Sequence, residues 1–567
     1  MKSRSIILSF LLTCVSCLTL PANLHAENNR NQEKPCIVNF INFIRQVEPR
    51  NDSKKDRYLY RTTRNELKQL NDYGFRGTFL LQYDALINPA FQKLMKKAMS
   101  DGHEVGAWWE ITEPHVKDAG IEWRGRYPWD WHANVGFATG YTPEERERLV
   151  DVFMEKFHSI FGYYPTSVGS WFIDAHTLSY MYDRYNIVAS CNCKDQIGTD
   201  GYTLWGGYWN QAYYPSRLNA YMPAQTTEGQ IAVPIFRMLG SDPVLQYYHG
   251  LGKEVQGVIS FEPVYSGASA GGGVQEWVEW FLPAMAESES IAFNYIQAGQ
   301  ENSFGWDAMK KGLCIQMPIF RKMTDEGYFR VETLSESGRW FKENFPTTPA
   351  TAVTVPNDYL NDGKSAAWYN SRNYRAGLYW EGTKFIIRDI HLFDEAIESD
   401  YLRKAGTTTY CEFITPPLVD GFLWSTEMSK AGLRLVALNE DGTTKEIPVS
   451  SHECIESGKD TLTVFCNTDY GQFELLFNED AMTVAFNPAN SSESLEWAME
   501  FNSAKKDVLP FTKISDKAIS ASHKGYDYNV RLIEGNFSSN DSSFANWLIL
   551  PQGNRFKLSG VLTSCMP

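Results

Sequence analysis

Three carboxylates in this chain follow directly on apolar runs: Glu110 after Trp108-Trp109, Asp174 after Trp171-Phe172-Ile173, and Glu262 after Ile259-Ser260-Phe261. Acidic groups delivered to one mouth can act as general acid, general base or nucleophile. Glycosidic cleavage uses two carboxyls about 5–5.5 Å apart when one attacks directly, and more widely spaced when water attacks. On that chemistry Asp174 is expected as nucleophile or base, Glu262 as acid/base and Glu110 as the alternate acid. Sugar rings stack on aromatics, and two loops offer them: Trp129-Asp130-Trp131-His132 and the stretch YTLWGGYWNQAYY at Tyr202–Tyr214. Trp109, Trp131, Trp205 and Trp209 are therefore expected as sugar walls. His132, His176, Arg237 and Glu301 are expected to contact the substrate, and Asn370 and Arg372 to reach in from the later part of the chain. Other polar groups at strand ends are Glu48, Asp52, Gln82, Asp84, Glu113, His115, Lys194, Asp195 and Gln196. The glycines at 271–273 lack the spacing and the Lys of a phosphate loop, and no G-x-S-x-G elbow occurs.

These residues need a scaffold that brings strand ends together. Apolar runs read as buried strands at Cys36–Phe43, Gly77–Gln82, Glu104–Ile111, Ser167–Asp174, Ile187–Cys193, Ile231–Arg237 and Val258–Glu262, with Ile291–Ile296 as either an eighth strand or a flanking piece. Helical patterns lie between them at Thr63–Tyr73, Pro89–Met99, Pro143–Phe161, Thr177–Tyr185, Asp242–Leu251 and Val274–Ala286. Strands that alternate with helices imply a parallel sheet, here a (β/α) barrel of seven or eight units over residues 27–345. Barrel chemistry sits at the C-terminal ends of the strands. After the Pro- and Thr-rich stretch 343–356 the helical period fades. Short strands and turns such as Glu381-Gly382 then point to an all-β, sandwich-like domain over 346–567, with a second β-module from about 480 left open.

Composition narrows the partners. Lys2 and Arg4 precede the apolar run Ile6–Leu20, and Ala26 ends an expected export signal over residues 1–26. The destination is periplasmic or extracellular, and Val15-Ser16-Cys17 leaves a lipid anchor on Cys17 open. No other segment is long and apolar enough to span a bilayer. A formal net charge of −15 without basic blocks argues against nucleic acid as a partner. Aromatics make up 14% of the chain; a large core absorbs many, but pairs beside Gly, Asn and Asp read as open binding walls for an oligo- or polysaccharide substrate. Cys191-Asn192-Cys193 has no complementary ligand pair nearby, so the cysteines are expected as buried thiols. The oligomeric state is not legible.

The order of elements, the Asp101-Gly-His-Glu-Val-Gly106 step and Gly162-Tyr-Tyr-Pro165 ahead of the fourth strand resemble the glycoside hydrolase/polysaccharide deacetylase barrel superfamily, and within it a family of exported bacterial proteins. Deacetylases of that superfamily carry paired aspartates at the end of the first strand and two histidines after the third. Here those places read Asn39-Phe40-Ile41-Asn42 and Ala107–Glu113, without His. Metal-free relatives place a nucleophile on the fourth strand and an acid/base on the seventh, the positions of Asp174 and Glu262. The resemblance thus implies an exported, metal-independent glycoside hydrolase without a cofactor. A metal-dependent deacetylase, with zinc on Asp174, His176 and His132 or His115, is the alternative. A glycan-binding protein on a decayed enzyme barrel is the third reading.

Overall fold

The computed structural model describes residues 34–47, 55–199, 201–253, 255–256, 259–267, 270–490, 495–539 and 541–564. The expected export signal with Cys17, and also Glu48, Asp52 and Cys565, lie outside these residues. Among the described residues, no helix is long and apolar enough to cross a membrane.

The first half forms a nearly closed barrel. Its strands are β1 (Cys36–Ile44), β2 (Thr78–Leu81), β3 (Glu104–Trp108), β4 (Ser167–Gly169), β5 (Ala189–Cys193), and, after an insertion carrying β6 (Gln196–Thr199), β7 (Tyr202–Trp205) and β8 (Ala212–Tyr213), β9 (Ile235–Met238) and β10 (Asn294–Ala298). They lie in the order β10-β1-β2-β3-β4-β5-β9-β8. All neighbours are parallel except β8, which runs antiparallel to β9. An eleventh strand, β11 (Phe329–Glu332), lies parallel to the start of β1. Strand side chains alternate between faces. Ile37, Ile41 and Phe43 meet Leu80, Trp108, Cys191, Phe236 and Tyr295 in one cluster, which is the barrel lumen. Val38, Phe40 and Ile44 face the helical layer instead. Gly169 makes room in the lumen: a Cβ there would stand 2.5 Å from Leu80 and 3.0 Å from the Trp108 ring.

Helix ends follow from local chemistry. Thr142 and Glu145 form a reciprocal capping box with Pro143 at the first turn, and the helix Pro143–Phe161 closes on Gly162 at φ 82°. Three expectations change. No strand forms at 259–262; only a bridge between Ser241 and Ser260 does. Residues 242–251 make turns rather than a helix, because the Asp242 carboxylate accepts the amides of Val244 and Leu245. Helices Trp306–Asp325 and Leu334–Asn344 come in addition.

The second half is all β. A ten-stranded sheet starts at Thr351–Val355 and includes strands as late as Asn546–Leu550, while a nine-stranded sheet draws on Ser451–Glu456 through Thr563–Ser564. Strands from both sides of residue 480 share each sheet, and one core from Ala350 to Leu562 packs between them. The chain therefore passes back and forth across that position. Of the described cysteines all are free; Cys314 is exposed and Cys454 half-buried, the others buried as expected.

Candidate active site at the barrel mouth

Alternation carried past the strand ends decides which side chains enter the mouth. The inward phase of β1 ends in Arg45, that of β2 in Gln82, that of β3 in Glu110, that of β4 in Trp171 and that of β10 in Glu301. Arg45 and Glu110 form a buried two-pronged pair, Nη2 to Oε1 at 2.6 Å and Nε to Oε2 at 2.9 Å. Arg45 Nη1 also meets Glu301 Oε2 at 2.7 Å. Gln82 donates to Glu110 Oε2 at 2.8 Å, and Ser303 to Glu301 Oε1 at 2.7 Å. The Trp129 ring covers the guanidinium at 4.2 Å. Beneath lies an aromatic floor, with Phe43 stacked on Trp108 at 4.2 Å and half-buried Trp171 edge-on to both at 5.4 Å.

Glu262 joins this rim between β9 and β10. Its Oε1 accepts from Gln300 at 2.7 Å and its Oε2 from Ser260 at 2.6 Å, while the Glu301 amide donates to Gln300 at 2.8 Å. Glu262 is half-buried and, among the described residues, has no cation within contact distance, unlike Glu110 and Glu301. Lys194, buried at the end of β5, lies close enough to feel its charge; burial pushes the lysine's pKa down.

Other expected site residues lie elsewhere. Asp174 is enclosed as the N-cap of the helix Ala175–Tyr185, accepting from Thr177 and paired with buried Arg146 at 2.9 Å. Strand β4 ends at Gly169, so Asp174 belongs to the following helix. Trp109 follows the outward phase of β3 and is buried edge-on to His115 and Phe153. Trp205 and Trp209 are buried against the β-domain, where Trp205 donates to Asp420 and Trp209 stacks on Trp368 at 4.5 Å. These three tryptophans cannot wall an open groove. Arg237 points out of the lumen into the same junction and pairs with Asp195 at 2.6 Å. Asn370 accepts the Trp209 amide, and Arg372, paired with Glu479 in its own domain, donates Nη1 to the Gln225 carbonyl at 2.9 Å, so both serve the domain contact. His176 bonds Glu147 on a helix surface. Trp131 and His132 remain half-exposed, with Trp131 stacked against exposed Tyr127 at 6.2 Å and covered by Arg126 at 4.7 Å. Beside them Asp130 is buried, which would raise its pKa, yet the Arg126 bonds hold it down to about 2.

The donor set can be tested against a metal. At the first-strand end the inward group is a guanidinium, and at the third it is the carboxylate bound to it. His115 is buried and donates Nε2–H to the Leu149 carbonyl, while His132, His176 and Asp174 each face their own partner. Among the described residues, no three His, Cys, Asp or Glu side chains are placed to hold an ion. These residues do not fit a divalent metal.

No family model matches the chain, and no curated protein does. Among solved structures, the chain is similar to a Parabacteroides distasonis protein with a provisional glycoside hydrolase/deacetylase assignment, at 15% identity and TM-score 0.48, covering 68% of this chain and 90% of that one. A provisional polysaccharide deacetylase from Mycobacterium smegmatis follows at 14% identity and TM-score 0.35, covering 55% and 91%. A peptidoglycan deacetylase from Bacillus subtilis matches at 13% identity and TM-score 0.24, covering 55% and 94%. The likeness is one of barrel fold. Arg45 and Trp171 were not singled out from sequence as site residues; their signal lay in the inward phase of β1 and β4, one step beyond the last apolar residue.

Proposed function

We propose that the protein is a carbohydrate-active hydrolase that removes an acyl substituent from a glycan at the barrel mouth. The carrying observation is Glu262, the rim carboxylate with no cation in contact among the described residues, while Glu110 and Glu301 are both bound to Arg45. A single available carboxylate suits a general base that activates water against an acyl carbonyl. The half-buried Trp171 face and the Trp131–Tyr127 pair offer stacking surfaces for sugar rings. Deacetylation of a glycan is also the activity for which several structurally similar proteins are named. Glycosidic cleavage needs two available carboxyls, and Asp174, expected as one of them, is sealed against Arg146. Glycosidic cleavage remains the second reading, favoured by the gathering of Glu110, Glu262 and Glu301 at one rim.

The test is to incubate purified protein with acetylated and fully deacetylated oligosaccharides and to follow both acetate and new reducing ends. Acetate release alone, lost in Glu262→Gln, supports the proposal. New reducing ends support the second reading, and sugar binding without either product supports a non-catalytic glycan-binding protein.

A further inference from the structure

We infer that the mouth carries a built-in cation where a divalent metal would otherwise stand: the Arg45 guanidinium, locked between Glu110 and Glu301, occupies a pocket of oxygen donors. The geometry is that of an enclosed ion. Two carboxylates, one past β3 and one past β10, converge from either side of β1 on one positive group at 2.6 and 2.7 Å, and the paired side chains are nearly solvent-free. An indole ring closes one face at 4.2 Å. Ser303 Oγ stands 3.3 Å from Arg45 Nη1, and Gln82, whose amide nitrogen serves Glu110, keeps its Oε1 buried without a hydrogen-bond partner. Carboxylate, amide and hydroxyl oxygens are the ligand types of hard cations such as Ca²⁺, Mg²⁺ and Mn²⁺.

Among the described residues, one guanidinium stands between two carboxylates, a trio of net charge −1. Its planar fork holds both acids in fixed directions, a geometry a lysine cannot reproduce. Arg45 therefore acts as a positioning residue for the rim, and the mouth resists metal uptake because its cation is covalently part of the chain. Removing that side chain leaves two enclosed carboxylates, an unpartnered amide oxygen and a guanidinium-sized space. The vacated place then becomes a site for a free divalent ion.

Metal uptake tests this apart from any hydrolytic activity, so failure here and failure of the proposed function are distinguishable. Wild-type protein, Arg45→Ala and Arg45→Ala/Glu301→Gln are dialysed against MnCl₂ or CaCl₂, and bound metal and melting temperature are measured. The expected result is no stoichiometric metal and no thermal shift in the wild type. Arg45→Ala is expected to take up about one equivalent and gain stability with rising metal, and the double variant to lose that uptake. Stoichiometric metal in the wild type that disappears in Glu110→Gln overturns the inference, as does a folded Arg45→Ala that binds none. Should Arg45→Ala not fold, Arg45→Gln, which retains an amide donor toward Glu110, takes its place in the same assay.

Discussion

A few buried titratable side chains near the mouth set how this barrel responds to pH. Asp84 follows β2; its Oδ1 accepts from Thr112 at 2.8 Å, but its Oδ2 is buried without a partner. Burial pushes its carboxyl up to about 7 against the Thr112 bond, with Glu113 adding to the rise. The folded chain thus holds a proton there that the unfolded chain releases near the ordinary value of 3.8. Stability from this group is fully present below that value and is lost as pH rises toward about 7, at up to ~1.4 kcal/mol per unit. His115, stacked on Tyr83 at 4.4 Å, works in the opposite direction. Burial lowers its pKa from 6.5 to about 4, so the unfolded chain takes the proton first and stability falls with acid between those values. The Asp84→Asn variant keeps the acceptor for Thr112 and removes only the Asp84 titration. Urea unfolding of both proteins from pH 4 to 8 should show the variant gaining on wild type as pH rises; the His115 contribution is common to both and cancels. Parallel stability curves would refute the assignment. The base at the rim gives a second expectation at this scale. Glu262→Gln should lower kcat on an acylated glycan by about 10²–10⁴ with the melting temperature little changed, because the amide oxygen can still accept from Gln300 while its NH2 donates to the Ser260 hydroxyl.

At the scale of elements, Asp174 shows why a strand end and a helix start are easily confused. The run Ser167–Asp174 reads as one apolar strand, but pairing stops at Gly169, and the chain turns through Trp171 before the helix begins. The spacing Asp174-x-x-Thr177 is a capping signal, and in the structure Asp174 accepts both the Thr177 amide and its hydroxyl. Asp174→Ala should destabilise the fold by ~3–5 kcal/mol, since it leaves the buried Arg146 charge without its partner. Asp174→Asn should cost less and preserve hydrolysis; a folded Asp174→Asn without activity would return Asp174 to the catalytic set. Most of the barrel was legible because fully buried parallel strands show as continuous apolar runs and their helices carry caps such as Thr142-Pro143. The rim was less legible. Whether Trp108 or Trp109 faces the lumen depends on strand phase, and whether Glu110 is available depends on Arg45, which lies 65 residues earlier in sequence. The tryptophans of the 202–214 insertion lie under the later domain, and nothing local in their sequence shows that cover.

For the whole molecule, that cover is a charged and aromatic seam between barrel and β-domain. Asp195, just past β5, is held by Arg237 from β9 and by Arg375 from the second domain, and Arg375 also grips Asp389 through two bonds of 2.9 Å. Burial would raise the Asp195 pKa, but Arg375 and Arg237 outweigh it and hold the carboxyl below its usual range. Around this chain of charges, Trp209 lies flat on Trp368, and Cys411–Ile414 adds a strand to β7 from across the seam. Such an interface makes the two halves unfold together, since neither can leave without exposing unpaired charge. Arg375→Met replaces the shared cation with an apolar chain of similar length and leaves Asp195 to Arg237 alone. Asp389 then sits buried beside Tyr247 and His391 with no guanidinium. Calorimetry should therefore resolve the single transition of the wild type into two, with the van't Hoff enthalpy falling below the calorimetric value. A single cooperative transition retained in Arg375→Met, at whatever temperature, would mean that the aromatic stack alone couples the domains, and Trp368→Ala would then be the variant that splits them.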